Sequence, residues 1–186
     1  MFVIAYARQN SADTTVYAGW KIKTYTVKFD LNGKDGKAIP SQTVNSGSCA
    51  VKPSDAVADG YIFTGWYKDS ACTTKYDFTT PITADTTVYA GWEAKKYVVD
   101  FDLNGKAPGA TVPSQTIDYG DKATDGGSVK DPTYKFTGWY LDKECTIKYD
   151  FDSPITGDLL LYAGWELVPS PIPTPTPNPT PAPTVT

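Results

Sequence analysis

The chain has 186 residues and a formal net charge of −4, and it contains 13 Tyr, 7 Phe and 5 Trp but no His. The lack of His excludes His-based catalytic triads and His-ligated zinc, and the 17 basic residues form no cluster dense enough to follow a phosphate backbone, so we expect no nucleic-acid partner. No apolar run approaches the roughly 20 residues that a bilayer span needs, so we expect no membrane insertion by these residues.

An internal repeat organises the sequence. FDLNGK at 29–34 returns at 101–106, a shift of 72, and PSQT at 40–43 returns at 113–116, a shift of 73, so one residue is inserted between them. FTGWY, KYDF, PIT and YAGW keep the shift of 73. We therefore predict repeat module 1 at 25–95 and repeat module 2 at 96–167.

The chain opens on MFVIAY, which is too short for a signal peptide and has no basic residues before it. ADTTVYAGW at 12–20 returns at 84–92. We therefore predict that residues 1–24 are the C-terminal strand remnant of a preceding repeat. Because the other strands of that repeat are missing, we expect this segment not to fold as a unit of its own.

Within each module the pattern is that of β-strands. Apolar and polar residues alternate through 25–31 and again through 97–103, which predicts a first strand with one buried face. FTGWY and TTVYAGW predict the third and last strands, and Asn32-Gly33 and Asn104-Gly105 predict a tight hairpin turn. Any helix is limited to one or two turns, near Ser54 to Asp59. The predicted fold class is mainly β (α+β), with tandem small modules and little helix.

Residues 168–186 form a Pro/Thr-rich linker. Proline occupies every second position from Pro169 to Pro183, a pattern that favours extended polyproline structure. At about 3.1 Å per residue this segment would be a spacer of roughly 45 Å.

Aromatic residues that follow a glycine are the first candidates for function. Four tryptophans of the two modules share this pattern, and with two phenylalanines they form the predicted structural core: Phe29, Trp66, Trp92, Phe101, Trp139 and Trp165. The alternative is a platform of rings that stacks on sugars, but a small domain needs large core residues. Strand alternation predicts that Tyr67 and Tyr140 face the opposite way from the neighbouring Trp, so one residue of each pair should be more exposed, and we take the tyrosines as the candidate partner-contact residues.

Acidic motifs are the second group of candidates. DLNGKD at 30–35 is similar to the start of a calcium loop, but it lacks the Gly and Glu positions of an EF-hand, so we predict no metal site and no cofactor. Asp77 and Asp150 could be paired with Asp69 and Asp142 as catalytic acids. A module this small has little room for a cleft, so we predict that these residues cap turns and that the chain is not an enzyme.

Three cysteines complete the set of reactive residues. Cys72 and Cys145 are repeat equivalents and are not expected to meet. Cys49 could pair with Cys72, but its counterpart in module 2 is Lys122, so the repeat does not require a disulfide. Whether Cys49 and Cys72 pair is left open.

FDLNGK, PSQT, GYIFTGWYKD and KYDFTTPITADTTVYAGW, with their second copies, resemble the Listeria-Bacteroides repeat, the B-repeat module of internalin-type surface proteins. The resemblance implies a small β-grasp-like fold and an extracellular location on a bacterial cell envelope, with the export signal and anchor outside these residues. It also implies a role in adhesion or in spacing other domains, toward an unknown protein or glycan ligand. We expect a monomer. The alternative is a carbohydrate-binding accessory module of a secreted enzyme.

Overall fold

The computed structural model describes residues 3–6, 15 and 17–169. These residues contain ten strands and no helix, which confirms the mainly β prediction. The strands are β1 (Val3–Tyr6), β2 (Tyr17–Trp20), β3 (Thr24–Asp30), β4 (Gln42–Asn45), β5 (Tyr61–Tyr67), β6 (Thr86–Ala94), β7 (Lys96–Asp102), β8 (Gln115–Asp118), β9 (Tyr134–Tyr140) and β10 (Leu159–Leu167). The predicted linker lies outside the described residues, apart from Val168 and Pro169.

The helix expected near Ser54 to Asp59 is wrong. The chain there is irregular up to a turn at 59–60, and burial alternates along it, with Ala56 and Ala58 buried and Val57 exposed. Alternation with a period of two is what extended backbone produces, whereas a helix would bury residues three or four apart. The two small alanines let this extended segment lie close to the module.

Each module is a four-stranded mixed sheet. In module 1 the order is β4-β3-β6-β5, and in module 2 it is β8-β7-β10-β9. The central strands are parallel, with Val27 opposite Thr86 in module 1 and Val99 opposite Leu159 in module 2. Since the parallel central strands are the first and last of the module, the second and third strands lie at the two edges. Equivalent sequence has produced equivalent topology.

The Asn-Gly turns form, but they do not make the predicted hairpin. Asn32 and Gly33 have φ values of 56° and 77°, as a tight turn requires. The strand that pairs antiparallel with β3 is β4, however, and it begins only at Gln42. The turn instead ends β3, because the Asp30 carboxylate accepts a hydrogen bond from the Asn32 backbone N–H at 2.7 Å. Asn104 and Gly105 do the same at the end of β7.

The core of each module lies on one face of its sheet. Module 1 buries aliphatic residues from β3, β4 and β6 together with loop residues: Val27, Val44, Ala50, Ala56, Ile82, Val88 and Ala90. Buried module 2 residues at the same repeat positions are Val99, Ala123, Ile155, Leu161 and Ala163.

A β-bulge places two aromatic residues three positions apart on the core face. The register of β5 against β6 shifts between Phe63 and Gly65, so that both Phe63 and Trp66 pack inward. The φ value of 133° at Gly65, and also at Gly138, strongly favours glycine. This backbone requirement explains the Gly that precedes Trp66 and Trp139.

The N-terminal segment contains two strands. The strand predicted in 1–24 is present as β2, and it pairs antiparallel with β1, a further strand that the sequence pattern did not indicate. Tyr6 lies opposite Tyr17 in this hairpin as Tyr67 lies opposite Tyr89 in module 1. The segment matches the third and last strands of a module at this tyrosine pair, but it pairs without the register shift that β5 and β6 show.

Candidate functional site

The tryptophans predicted as core residues are on the core side of both sheets. Trp66 and Trp139 are only 3% and 2% exposed. The Trp66 ring meets Phe29 edge to face with centroids 5.2 Å apart, and Trp139 meets Phe101 in the same way at 4.7 Å. Neither indole N–H of this pair has an acceptor among the described residues. These rings are therefore inaccessible to a ligand at the surface.

The second tryptophan of each module has a polar partner. The Trp92 indole N–H donates to the Leu31 carbonyl at 2.8 Å, and Trp165 donates to Leu103 at 2.9 Å. Both rings are partly buried, so they tie the last strand to the Asn-Gly turn. A platform built from the four tryptophans is thus wrong.

The predicted contact residues Tyr67 and Tyr140 lie on the opposite face of the sheet from the buried tryptophans, and both are half-buried. The Tyr67 ring covers Gly91, where an added Cβ would lie 2.2 Å from Cε2, and the Tyr140 ring covers Gly164 in the same way. Their hydroxyls lie 3.3 Å from a threonine hydroxyl three residues earlier. Each tyrosine is thus a packing residue of the outer face that keeps part of its ring exposed.

An asparagine latch fixes the Asn-Gly turn to the loop after the third strand. The Asn32 side-chain amide donates to the Ser70 carbonyl at 2.9 Å and lies 3.4 Å from the Cys72 Sγ. Asn104 makes the same contacts with Lys143 and Cys145 at 2.9 and 3.5 Å. Sequence analysis assigned this asparagine only to a turn, although its recurrence in FDLNGK is consistent with a second role.

The three cysteines are free thiols in the structure. Cys72 and Cys145 have φ values of 54° and 56°, and each thiol lies against the asparagine latch. The Cys49 thiol donates to the Thr79 carbonyl at 3.1 Å. Cys49 and Cys72 therefore contact different groups in the reduced protein.

A glutamine clamp joins the second strand of each module to the loop that follows it. Both polar atoms of the Gln42 amide bond the backbone of Val51, at 2.7 and 2.8 Å, and Gln115 bonds Thr124 at 2.8 and 2.9 Å. The side chain thereby pairs the backbone N–H and C=O of a loop residue that belongs to no strand. The repeated PSQT motif was the only sequence signal for this clamp.

The acidic residues cap turns, as predicted. Asp69 accepts hydrogen bonds from Thr73 and from the Thr74 N–H, and Asp142 accepts them from Thr146 and the Ile147 N–H. The bond from the backbone of the residue four positions on is the main reason that the pKa of each carboxyl is lowered.

The other two members of the predicted acid pairs also serve their own turns. Asp77 accepts bonds from the Thr79 N–H and hydroxyl, and Asp150 accepts one from the Asp152 N–H. The Thr79 hydroxyl is the main reason that the pKa of Asp77 is lowered. An interpretation of these aspartates as catalytic pairs has no support in their contacts.

Comparison with known proteins agrees with this two-copy architecture. The family model of the Listeria-Bacteroides repeat domain matches the chain twice, at residues 25–91 and 97–164. The chain belongs to the Listeria-Bacteroides repeat family. Each match contains the asparagine latch, the glutamine clamp and the buried tryptophan of its module, and ends one residue before Trp92 or Trp165.

Three relatives of this repeat protein come from two bacteria. A putative Gly-rich membrane protein of Evansella cellulosilytica is 33% identical over 86% of this chain, and a putative membrane protein of the same species is 34% identical over 82%. Internalin H of Listeria monocytogenes is 32% identical over 76% of the chain. The matches cover 18%, 23% and 25% of the length of these relatives.

The described residues of this Listeria-Bacteroides repeat protein include no group of three or more Cys, Asp or Glu side chains that could hold a metal ion. They also include no candidate for a membrane-spanning helix. One groove of about 620 Å³ is lined by residues 37–42 and 53–57 of module 1. Its Gln42 amide is already bonded to Val51, and Asp55 lies 3.7 Å from Lys52, so the groove does not gather free polar groups toward one point.

Proposed function

We propose that these two repeats form a non-catalytic region of a bacterial cell-surface protein, in which they display other domains and contact host or neighbouring-cell ligands. One observation carries the proposal: the equivalent tryptophans, asparagines, glutamines and capping aspartates of both modules are committed to folding contacts. These side chains therefore maintain the fold. We assign contact with a partner to the outer faces of the two sheets.

Membership of the repeat family and the likeness to internalin H support a surface location. The proline-rich segment from Pro169 onward supports a spacer role, because alternating proline favours extended backbone. The β-grasp-like assignment is supported by a mixed four-stranded sheet whose central strands are parallel. We further propose that the chain acts as a monomer and that repetition adds weak contacts together by raising the effective concentration.

The carbohydrate-binding alternative is less favoured. Its main candidates were the tryptophans, and Trp66 and Trp139 are buried. The outer face of each sheet carries one cross-strand tyrosine pair, Tyr67 with Tyr89 and Tyr140 with Tyr162. A single pair is a small platform for a sugar chain. We therefore place a protein ligand ahead of a glycan.

Antibodies raised against the purified chain test the location on intact cells of the producing bacterium. We expect labelling of unpermeabilised cells and its loss after brief external protease treatment. Labelling that requires cell lysis would contradict the proposal. Beads coated with the chain should then adhere to host or bacterial cell layers more than beads coated with a variant unfolded by Trp66→Ala and Trp139→Ala.

A further inference from the structure

The outer faces of the two sheets differ although their cores agree. Module 1 carries Thr26 and Lys28 on β3 and Thr87 on β6. The equivalent residues of module 2 are Val98, Asp100 and Leu160. Two threonines have become aliphatic residues and a lysine has become an aspartate.

These three module 2 residues share one exposed surface. Val98 and Asp100 flank the buried Val99 on β7, and Leu160 precedes the buried Leu161 on β10, so alternation turns all three outward. Leu160 lies directly opposite Asp100 in the sheet register, which places Val98 diagonally beside Leu160.

The surface continues across β10 to β9. Tyr162 follows Leu160 on the same side of β10, and it lies opposite Tyr140. We call the surface formed by Val98, Asp100, Tyr140, Leu160 and Tyr162 the module 2 face.

Folding does not require this surface to be apolar. Module 1 builds the same sheet with threonine at both aliphatic positions, and threonine suits an exposed strand well. Val98 and Leu160 nevertheless keep 39% and 43% of their surface exposed. Adjacent exposed aliphatic residues at positions where the fold accepts threonine indicate an interaction surface.

Carboxylates outnumber lysines around the aliphatic pair, and Lys96, the outward residue two positions before Val98, is already paired with Asp118. Asp100 and Asp102 extend from the same side of β7, and Asp158, also exposed, caps the Val98 N–H at 2.9 Å. Lys148 extends over Gly138 on β9, so positive charge lies on the other side of the tyrosine pair. The β7 side of the module 2 face therefore complements a basic partner.

We propose that the module 2 face, and not its module 1 equivalent, binds an extended protein segment in which apolar and basic side chains alternate. This inference rests on the proposed function, because it names the chemistry of the ligand. Aliphatic side chains favour a protein partner, whereas sugars stack on flat rings, and here the Tyr140 ring already covers Gly164 with one face. A second copy would bring the same aspartates against each other.

Exchanging residues between the modules tests the proposal with matched variants. The loss variant carries Val98→Thr, Asp100→Lys and Leu160→Thr, and the gain variant carries Thr26→Val, Lys28→Asp and Thr87→Leu. Both use residues that the other module already accommodates, and circular dichroism and thermal melting check their folding. Asp100→Lys alone removes one exposed carboxylate, together with the hydrogen bond that it accepts from the Ser114 hydroxyl, and serves where the triple variant is unstable.

Binding of the full chain is measured to immobilised short peptides of alternating valine and lysine, valine and glutamate, or threonine and lysine. We expect the valine–lysine peptide to bind at least about tenfold more tightly than the others, the loss variant to reduce this binding by at least about tenfold, and the gain variant to add a second site. Asp100→Lys alone should weaken binding and flatten its salt dependence.

The proposal is wrong if the wild type does not prefer the valine–lysine peptide, or if the loss variant binds as the wild type does. Retention of oligosaccharides in place of peptides, lost in the same variant, would show that the face binds glycans and would overturn the choice of occupant. Surface labelling is a separate measurement. If intact cells are not labelled but peptide binding still depends on the exchanged residues, the surface location is contradicted and the assignment of the module 2 face as a binding surface is not.

Discussion

Module 1 and module 2 differ in loops and on the outer face but agree in the side-chain contacts that tie the strands to their turns. The Asn32 latch, the Gln42 clamp and the Trp92 hydrogen bond all recur, each within about 0.1 Å. The repeat is thus specified by an inward apolar pattern and a few side-chain-to-backbone bonds. Positions outside that set are free to change and can acquire function.

The loop after the Asn-Gly turn, which is one residue longer in module 2, shows how the fold accommodates a change in sequence. In module 1 a Cβ added to Gly36 would lie 2.4 Å from the Val57 carbonyl oxygen, so the loop depends on close backbone approach. In module 2 Ala107 is buried at a φ value of 52°, and its N–H donates to Asp131 at 2.7 Å. Asp131 stands where module 1 has Ala58. A carboxylate cap has replaced a glycine contact.

Trp139→Ala should have the largest effect on stability. Removing a ring that is 2% exposed leaves a cavity, and we expect a loss of about 3–5 kcal/mol in the free energy of unfolding. Hydrogen exchange resolved to the β9 and β10 amides measures it. Trp66→Ala is the matched variant for β5 and β6, and a cost differing by more than about 1 kcal/mol would break the equivalence of the two cores.

Gly164→Ala should come next, because its Cβ would lie 2.2 Å from the Tyr140 ring. We expect a loss of about 1–3 kcal/mol from overpacking, measured by urea denaturation. Tyr140→Ala removes the clashing ring, so the double variant should recover part of the loss that Gly164→Ala causes. Purely additive losses in this cycle would show that the ring does not set the requirement for glycine. Gly91→Ala with Tyr67→Ala repeats the test in module 1.

Asp142→Asn should change the dependence of stability on pH. The folded-state pKa of this carboxyl lies below its ordinary value of 3.8, chiefly because of the Thr146 backbone bond. The ionised form therefore stabilises the fold fully above the unfolded value, and this contribution is lost as pH falls through the lowered pKa. We expect the variant to be less stable at neutral pH and to converge with the wild type in acid, in urea titrations at a series of pH values. Asp69→Asn should behave in the same way. If the unfolding free energies of variant and wild type differ by the same amount at every pH, the ionised carboxylate does not stabilise the turn.

Lys122→Ala should have the smallest effect on stability, although it removes an ion pair that module 2 has and module 1 lacks. The Lys122–Asp152 ion pair, at 2.8 Å, replaces the contact between the Cys49 thiol and the Thr79 carbonyl. Both of its side chains are mostly exposed, so water and salt screen it. The urea midpoint should not change measurably, with or without added salt. A clear salt-dependent loss would mean that module 2 relies on a charge pair that module 1 lacks.

Local signals in the sequence predicted the parts of the fold that depend on neighbouring residues. Alternation from Tyr25 to Leu31 predicted β3, and Asn32-Gly33 predicted the turn with positive φ values that the structure contains. The hairpin and the helix near Ser54 were wrong because strand pairing and burial depend on distant residues. The Asn32 latch was missed for the same reason, since its acceptor is 38 residues away.

Sequence alone was enough to predict the two-copy repeat, the turn residues and the mainly β class, since periodicity and backbone preference are properties of short segments. Strand pairing was needed to show that the central strands are parallel, that Trp92 and Trp165 bond to turn carbonyls, and that Tyr67 and Tyr140 pack on glycine. The sheet register likewise places Val98, Asp100 and Leu160 side by side on one outer face. Residues about 60 positions apart become neighbours only when the strands pair, and no local pattern encodes that pairing.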